Sequence, residues 1–375
     1  LRVGTLHTLY GRKAGAEMFF EKIMLGVPAQ FSDTTFIIYC NKEAFCSLPE
    51  ARGIEKRYIP ALNSQYSKIL WLQFFSSRQL RQDGVDLFWV PSGCNAFPGP
   101  WGVPSLVTFC DFGEYYVPQK YDSKRMLCRK LIYIPLSIRR GASFSAISHS
   151  TADDLKRLFG KNSAVIYPGI SPRPSIEELS APVDIVRKET KFNYEKIVLV
   201  PGRTDFFGKG LDVMLTAYRQ LIERVPGVPP LVLVGPKGEG HERLQREILR
   251  LGLKDDVRWL GRVSDICLDA LYNLCSFVVF PSRFEGFGFP LLEAMRYGKP
   301  IISSDAGSLP EVADDAALFF PSGNSSALAV AMERILVEPD LRERLVAAGM
   351  KRIDRFEWRC TINDMHSELV KLAKI

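Results

Sequence analysis

Two carboxylates, Glu285 and Glu293, bracket a turn that carries Gly286 and Gly288, and two cations, Arg203 and Lys209, sit on an earlier glycine-containing turn. Guanidinium and ammonium groups on such a loop suit a diphosphate, the first as a planar fork and the second as a point charge. A carboxylate beside phosphate does not help by its charge, so Glu285 and Glu293 read as acceptors of hydrogen bonds from hydroxyl groups. Phosphates and hydroxyls together describe a nucleotide sugar. Taken singly, each carboxylate is equally well a solvated turn or helix residue, and each cation an exposed loop residue.

The elements that must position these groups are legible around them. Phe277 to Phe280 is a short apolar run closed by Pro281 and Ser282, which predicts a buried strand. After the glycine turn, Pro290 stands where a helix begins, and Leu291, Leu292, Ala294 and Met295 continue it to Gly298. Ile301-Ile302 opens the next strand. Strand, glycine turn and helix N-terminus form an anion-binding geometry, because the first-turn N–H groups are unsatisfied and the helix dipole is positive there.

Pro281-Ser282, Glu285-Gly286-Phe287-Gly288, Pro290, Glu293-Ala294-Met295, Gly298, Pro300, Gly307 and Pro310-Glu311 together resemble the signature of retaining glycosyltransferase family 4, with its Glu-x7-Glu motif. The resemblance implies a GT-B fold, in which two Rossmann-like, doubly wound parallel-sheet α/β domains face a cleft. It implies transfer of a hexose from a nucleotide sugar, a UDP-sugar in the first instance, to a hydroxyl of a glycan, glycolipid or other acceptor. Configuration is retained, and neither a cofactor nor a metal is required. Glu285 would bind the donor sugar, assisted by the backbone of Gly286, Phe287 and Gly288. Arg203 and Lys209 would hold the diphosphate with the helix N-terminus around Phe289, Pro290, Leu291 and Leu292. Glu293 would hold the ribose, Arg262 and Val263 the base edge. Gly15 marks a glycine-rich loop on the first domain, and Asp111 faces the cleft. Two departures stand out: Gly15-Ala16 where Gly-Gly is common, and Cys110 where many relatives carry a histidine. Cys110 has no evident activating base and reads as a small buried thiol.

At 375 residues the chain exceeds one ordinary core. Alternating apolar strands and helices predict parallel sheets covered on both faces. The division expected is 1–175 for the acceptor domain, 176–355 for the donor domain and 356–375 for a helix crossing back to the first. Strands are predicted at 35–40, 57–62, 87–91 and 104–110, helices at 66–82 and 123–139, an N-cap at Ser150 or Thr151, and a linker over 171–185. A GxGxxG fingerprint is absent, which disfavours a nicotinamide enzyme.

The eight cysteines show no CxxC spacing and the four histidines are dispersed, so reduced thiols and no metal site are expected. No apolar run of membrane-spanning length occurs, and the opening LRVGTLHTLY lacks the features of a signal peptide. A cytoplasmic protein is the expectation. The net charge of +7 is concentrated before residue 176, where 22 Lys and Arg face 13 Asp and Glu. That asymmetry points to an acidic partner, an anionic lipid or phosphorylated acceptor rather than nucleic acid. Residues 120–140 carry seven basic residues among apolar ones, and read either as an element lying on the inner face of an anionic membrane or as a domain helix with a solvated basic face. Two other functions share the features above: a nucleotide-sugar epimerase or phosphorylase on the same fold, and a non-catalytic sugar-binding protein.

Overall fold

A computed structural model describes residues 1–8, 15–94, 102–118, 123–171, 181–192 and 195–374. The chain divides into two compact units. The first comprises Leu1–Phe112, Lys124–Gly169 and Phe356–Ile375, the second Gly113–Ser123 and Ile170–Arg355. The division after Gly169 falls six residues before the expected boundary, and the short Gly113–Ser123 segment counts with the second unit.

In the first unit seven strands form one parallel sheet: β1 (Arg2–His7), β2 (Thr35–Cys40), β3 (Ile54–Tyr58), β4 (Leu87–Val90), β5 (Ser105–Phe109), β6 (Ser143–Ala146) and β7 (Ala164–Val165), in the order β3-β2-β1-β4-β5-β6-β7. In the second, β8 (Ile197–Pro201), β9 (Leu231–Val234), β10 (Val257–Trp259), β11 (Cys275–Phe280), β12 (Ile301–Ser304) and β13 (Ala317–Phe320) run in the order β10-β9-β8-β11-β12-β13. Every recorded pairing is parallel, for example Val278 with Leu199 and with Ile301. Both sheets are therefore doubly wound, with strand order reversing at β1/β4 and at β8/β11.

Continuous apolar runs make these strands because helices cover both faces. Phe36 to Cys40 and Ile197 to Leu199 are wholly buried. The second core packs Val198, Phe277 and Ile302 against Leu215, Tyr218 and Met332 from the flanking helices.

Several local expectations shift. The strand predicted at 57–62 lies at Ile54–Tyr58, because Pro60 cannot donate to a ladder and opens a 3-10 turn, Pro60–Asn63. The N-cap predicted at Ser150 or Thr151 is Ser148, whose Oγ accepts from Thr151 N at 3.0 Å. Pro182 starts a helix, Pro182–Thr190, inside the stretch read as linker. The helices over 66–82 and 123–139 each contain a π turn, Trp71–Phe75 and Arg129–Tyr133. Pro135 stands at the start of the helix Ile134–Arg140.

At the carboxyl ends of β8 and β9 the backbones approach closely. Gly235 has φ +144°, and a Cβ there would lie 2.1 Å from the carbonyl oxygen of Gly202. Gly235→Ala is expected to cost about 2 kcal/mol or more in urea unfolding, because two strand ends must part. Gly227→Ala, at a positive φ of 71° with nothing within 4 Å, should cost about 1 kcal/mol. Equal losses at the two positions would show that the close approach does not matter.

Candidate functional site

Parallel α/β sheets leave a crevice beyond the carboxyl ends of the strands where their order reverses. In the second unit that point lies between β8 and β11. β8 leads into Gly202, Arg203, Thr204 and Asp205 and on to Lys209. β11 leads into Pro281, Ser282 and the turn from Phe284 to Gly288. The two loops meet in an ion pair, Lys209 Nζ to Glu285 Oε1 at 2.5 Å, with the side chains 24% and 17% exposed. Lys209 Nζ also lies 5.2 Å from the centroid of the Phe280 ring, so the ammonium is held from two sides. A small cavity lined by Gly202, Arg203, Lys209, Phe280 and Ser282 adjoins the pair. The buried Ser282 Oγ has no hydrogen-bond partner among the described residues.

Both loops are fixed by their own polar contacts. Arg283 makes a bidentate pair with Asp212, 2.7 Å in each arm, and also donates to the Phe207 carbonyl at 2.8 Å. This ties the β11 loop to the start of the helix Leu211–Arg224. The Glu285 carbonyl accepts from both N and Oγ of Ser308 at 3.1 Å. Arg203 Nε and Nη2 donate to Asp205 Oδ2 at 2.8 and 2.6 Å, and Asp205 Oδ1 accepts from Glu239 N at 2.8 Å. Thr204 Oγ1 is 3.0 Å from His241 Nδ1. Arg203 is thus oriented by its neighbour, where the sequence alone left it an unattached cation. Tyr116 stacks on Phe284 at 4.6 Å between ring centroids, beside Glu285.

The helix Phe289–Arg296 follows Gly288, which takes a left-handed φ of +96° and carries no side chain to cap the first turn. Pro290 lies in that turn, as its fixed φ favours. Leu291 and Leu292 are wholly buried, so only their backbone can meet a ligand, and the Leu291 N–H already donates to the Gly288 carbonyl at 3.0 Å. Phe287 is buried and packs edgewise on Phe289, 5.2 Å between centroids. Glu293 already has an internal partner: the buried Tyr272 donates its hydroxyl to Glu293 Oε2 at 2.5 Å. Burial pushes the Glu293 carboxyl above the ordinary carboxylate range, with the Tyr272 hydroxyl and the Arg296 charge pulling the other way. Tyr272 in turn stacks on Tyr297, with ring planes 2° apart.

Arg262 is exposed and Val263 partly so, just after β10. Gly235 N donates to the adjacent Gly261 carbonyl at 2.8 Å, which fixes that backbone beside the end of β9. Arg203, Lys209, Glu285 to Glu293, Arg262 and Val263 therefore belong to one unit. Asp111 and Gly15 belong to the other. Asp111 lies two residues past the end of β5, half-buried, its carbonyl accepting from Cys94 Sγ at 3.1 Å. Gly15 is the first residue of the helix Gly15–Gln30, and residues 10–14 of the glycine-rich loop it marks lie outside the described residues. Sequence reasoning missed Arg283, Asp212 and Tyr272, and read Ser282 only as the close of a strand within the motif. Arg283 and Asp212 are 71 residues apart and leave no spacing signal. Only the buried, aromatic setting of Tyr272 opposite a helical carboxylate could have marked it.

Because Glu293 holds its proton more readily in the folded than in the unfolded chain, the wild type loses stability as pH rises from about 4.3, the unfolded value, through the raised folded one. Glu293→Gln keeps an oxygen to accept from Tyr272 but cannot ionise. Urea titrations should show the variant gaining on the wild type over that pH interval and then holding a constant lead. A difference independent of pH would mean that the carboxylate charge carries no cost there.

Residues 184–352 match the family model of the glycosyl transferases group 1. The chain is 33% identical over 160 residues to the O-antigen chain mannosyltransferase B of Escherichia coli, covering 42% of each chain. It is 36% identical over 166 residues to the phosphatidyl-myo-inositol mannosyltransferase of Mycobacterium leprae, covering 44% of this chain and 43% of that protein. The chain thus matches less than half the length of these relatives. Among solved structures, sucrose-phosphate synthase from Thermosynechococcus elongatus superposes with a TM-score of 0.74 at 19% identity, covering 99% of this chain and 98% of that one. At that identity the likeness speaks to the fold, which is that of GT-B glycosyltransferases. The matched stretch, 184–352, carries the Lys209–Glu285 pair and the glycine turn, and it is similar there to the glycosyl transferases group 1.

Proposed function

We propose that the chain is a retaining glycosyltransferase of the family 4 type, moving a hexose from a nucleotide sugar to a hydroxyl of a glycan, glycolipid or similar acceptor without a metal ion. The donor proposed first is a UDP-sugar. The observation that carries this reading is the Lys209–Glu285 pair at the strand-order reversal of the second sheet. It sets a cation for phosphate and a carboxylate for hydroxyls side by side, at the mouth of a helix N-terminus. Mannosyl transfer by the two relatives named above supports the choice of a hexose.

In this reading Lys209, Arg203 and the first turn of the helix Phe289–Arg296 take the diphosphate. Glu285 and the backbone of Gly286, Phe287 and Gly288 hold the sugar, and Glu293, steadied by Tyr272, holds the ribose. The backbone at Arg262 and Val263 meets the base, while the first unit, with Asp111 and Gly15, supplies the acceptor side. As the bond from the anomeric carbon to the diphosphate oxygen breaks, negative charge grows on the leaving group. Fixed cations and amides there lower the barrier because they need not reorganise. The acceptor hydroxyl attacks from the face that the diphosphate leaves and gives its proton to the departing phosphate oxygen. Lys209 has three N–H donors, one of them engaged by Glu285, so it can bridge carboxylate and phosphate at once.

Incubation with UDP-, GDP- and ADP-sugars should raise the melting temperature for the cognate donor alone, since a ligand of the folded state stabilises it. Glu285→Gln and Lys209→Ala should each lower kcat by about 10²-fold, and chelation by EDTA should leave turnover unchanged. Product analysis decides the chemistry: inversion within the free nucleotide sugar, or phosphorolysis of a glycan, would replace transfer with one of the other activities open to this fold. Near-normal turnover in both variants would make the ion pair structural.

A further inference from the structure

The turn that follows β10 is held at both ends and open in the middle. On one side the Gly261 carbonyl accepts from Gly235 N at 2.8 Å, and Gly261 takes a left-handed φ of +73°. On the other side Ser264 is gripped by a side chain from another element. Glu189 Oε1 accepts from Ser264 N at 2.7 Å, and Oε2 accepts from Ser264 Oγ at 2.6 Å. Between these anchors, the backbone N–H and C=O groups of Arg262 and Val263 have no hydrogen-bond partner among the described residues. Such groups form a short row of donors and acceptors, and a row of that kind recognises a ligand best when it is held in place beforehand.

Glu189 stands near the end of the helix Pro182–Thr190, 75 residues before Ser264 in the chain. That helix packs along the helix Asp265–Leu274, which Ser264 opens. Ser264 caps the second helix unaided, since its Oγ accepts from Cys267 N at 3.2 Å. The same hydroxyl gives its single proton to Glu189, so its direction is fixed from both sides. Burial pushes the Cys267 thiol up to about 12, and the Glu189 carboxylate beside it adds to the rise. Glu189 itself is exposed, and an exposed carboxylate adds little to folding because solvent competes for it. What its grip does fix is the turn. One hydrogen bond would let Ser264 pivot, whereas two to different atoms of the same residue do not.

We propose that Glu189 is a positioning residue for recognition of the donor's base, holding the Arg262–Val263 backbone in register through Ser264. The assignment rests on the reading in which that backbone meets the base, and it adds the side chain that sets the register. Arg203 is held by Asp205, and Lys209 and Glu285 hold each other. Loss of Glu189 therefore leaves the groups for phosphate and sugar in place and falls on the base alone.

Isothermal titration of the full chain with UDP, GDP and ADP, and with inorganic pyrophosphate as a probe without a base, tests the assignment. Glu189→Ala should weaken the best-bound nucleotide by about tenfold and narrow its margin over the other two, with pyrophosphate unaffected. With the matching sugar donor, KM should rise by the same factor while kcat holds, as expected for lost uniform binding. Glu189→Gln keeps an oxygen to accept from Ser264 N and should recover most of the affinity. Thermal unfolding of both variants should match that of the wild type. The assignment alone is overturned if the wild type binds nucleotide and Glu189→Ala matches it in affinity and base preference. It is likewise overturned if every ligand weakens by one factor, leaving base preference as it was. A wild type that binds none of the four ligands overturns the glycosyltransferase reading and the assignment with it.

Discussion

An ammonium and a carboxylate 2.5 Å apart, each largely withdrawn from water, organise the second unit. Neither charge would be stable there alone, because a partly buried ion without a partner bears its desolvation cost unrelieved. Each therefore holds the other in place, and with it the loop to which each belongs. The geometry is possible only because β8 and β11 are neighbours though they are far apart in sequence, so that their two loops emerge side by side. The Arg283–Asp212 fork repeats the arrangement from the opposite direction, a cation on the β11 loop meeting a carboxylate on the helix after β8. Two crossed ion pairs fix one loop against the other more firmly than either could.

Much of this was legible in the sequence, and the reason is local. Gly288 and Pro290 have strong backbone preferences, and a strand, a glycine turn and a proline-started helix can be read from such residues within a short window. What could not be read depends on long-range meetings. Glu293 looks the same in the sequence whether it faces solvent or a buried tyrosine, and only the fold brings Tyr272 to it. Arg203 reads as a phosphate ligand, but its orientation by Asp205 needs the loop's actual turn. The π turns leave no mark because an extra residue in a helix changes the period over only one turn. Ser148 lost its place as N-cap to Ser150 and Thr151 in the sequence reading because all three hydroxyls suit the role, and backbone geometry alone decides among them.

The contrast between the two units follows from where each departs from ordinary folding rules. In the second, the departures gather within a few loops: a left-handed Gly288, a buried Ser282 hydroxyl with no hydrogen-bond partner among the described residues, a Glu293 carboxyl raised by burial, and ion pairs drawn out of water. Such costs collected at the carboxyl ends of parallel strands are what a binding site for a charged ligand requires, because groups arranged in advance need not reorganise when the ligand arrives. In the first unit, the departures lie along two helices as apolar side chains exposed among cations. A site that recognises one molecule needs convergent groups, and the second unit gathers them where its strand order reverses.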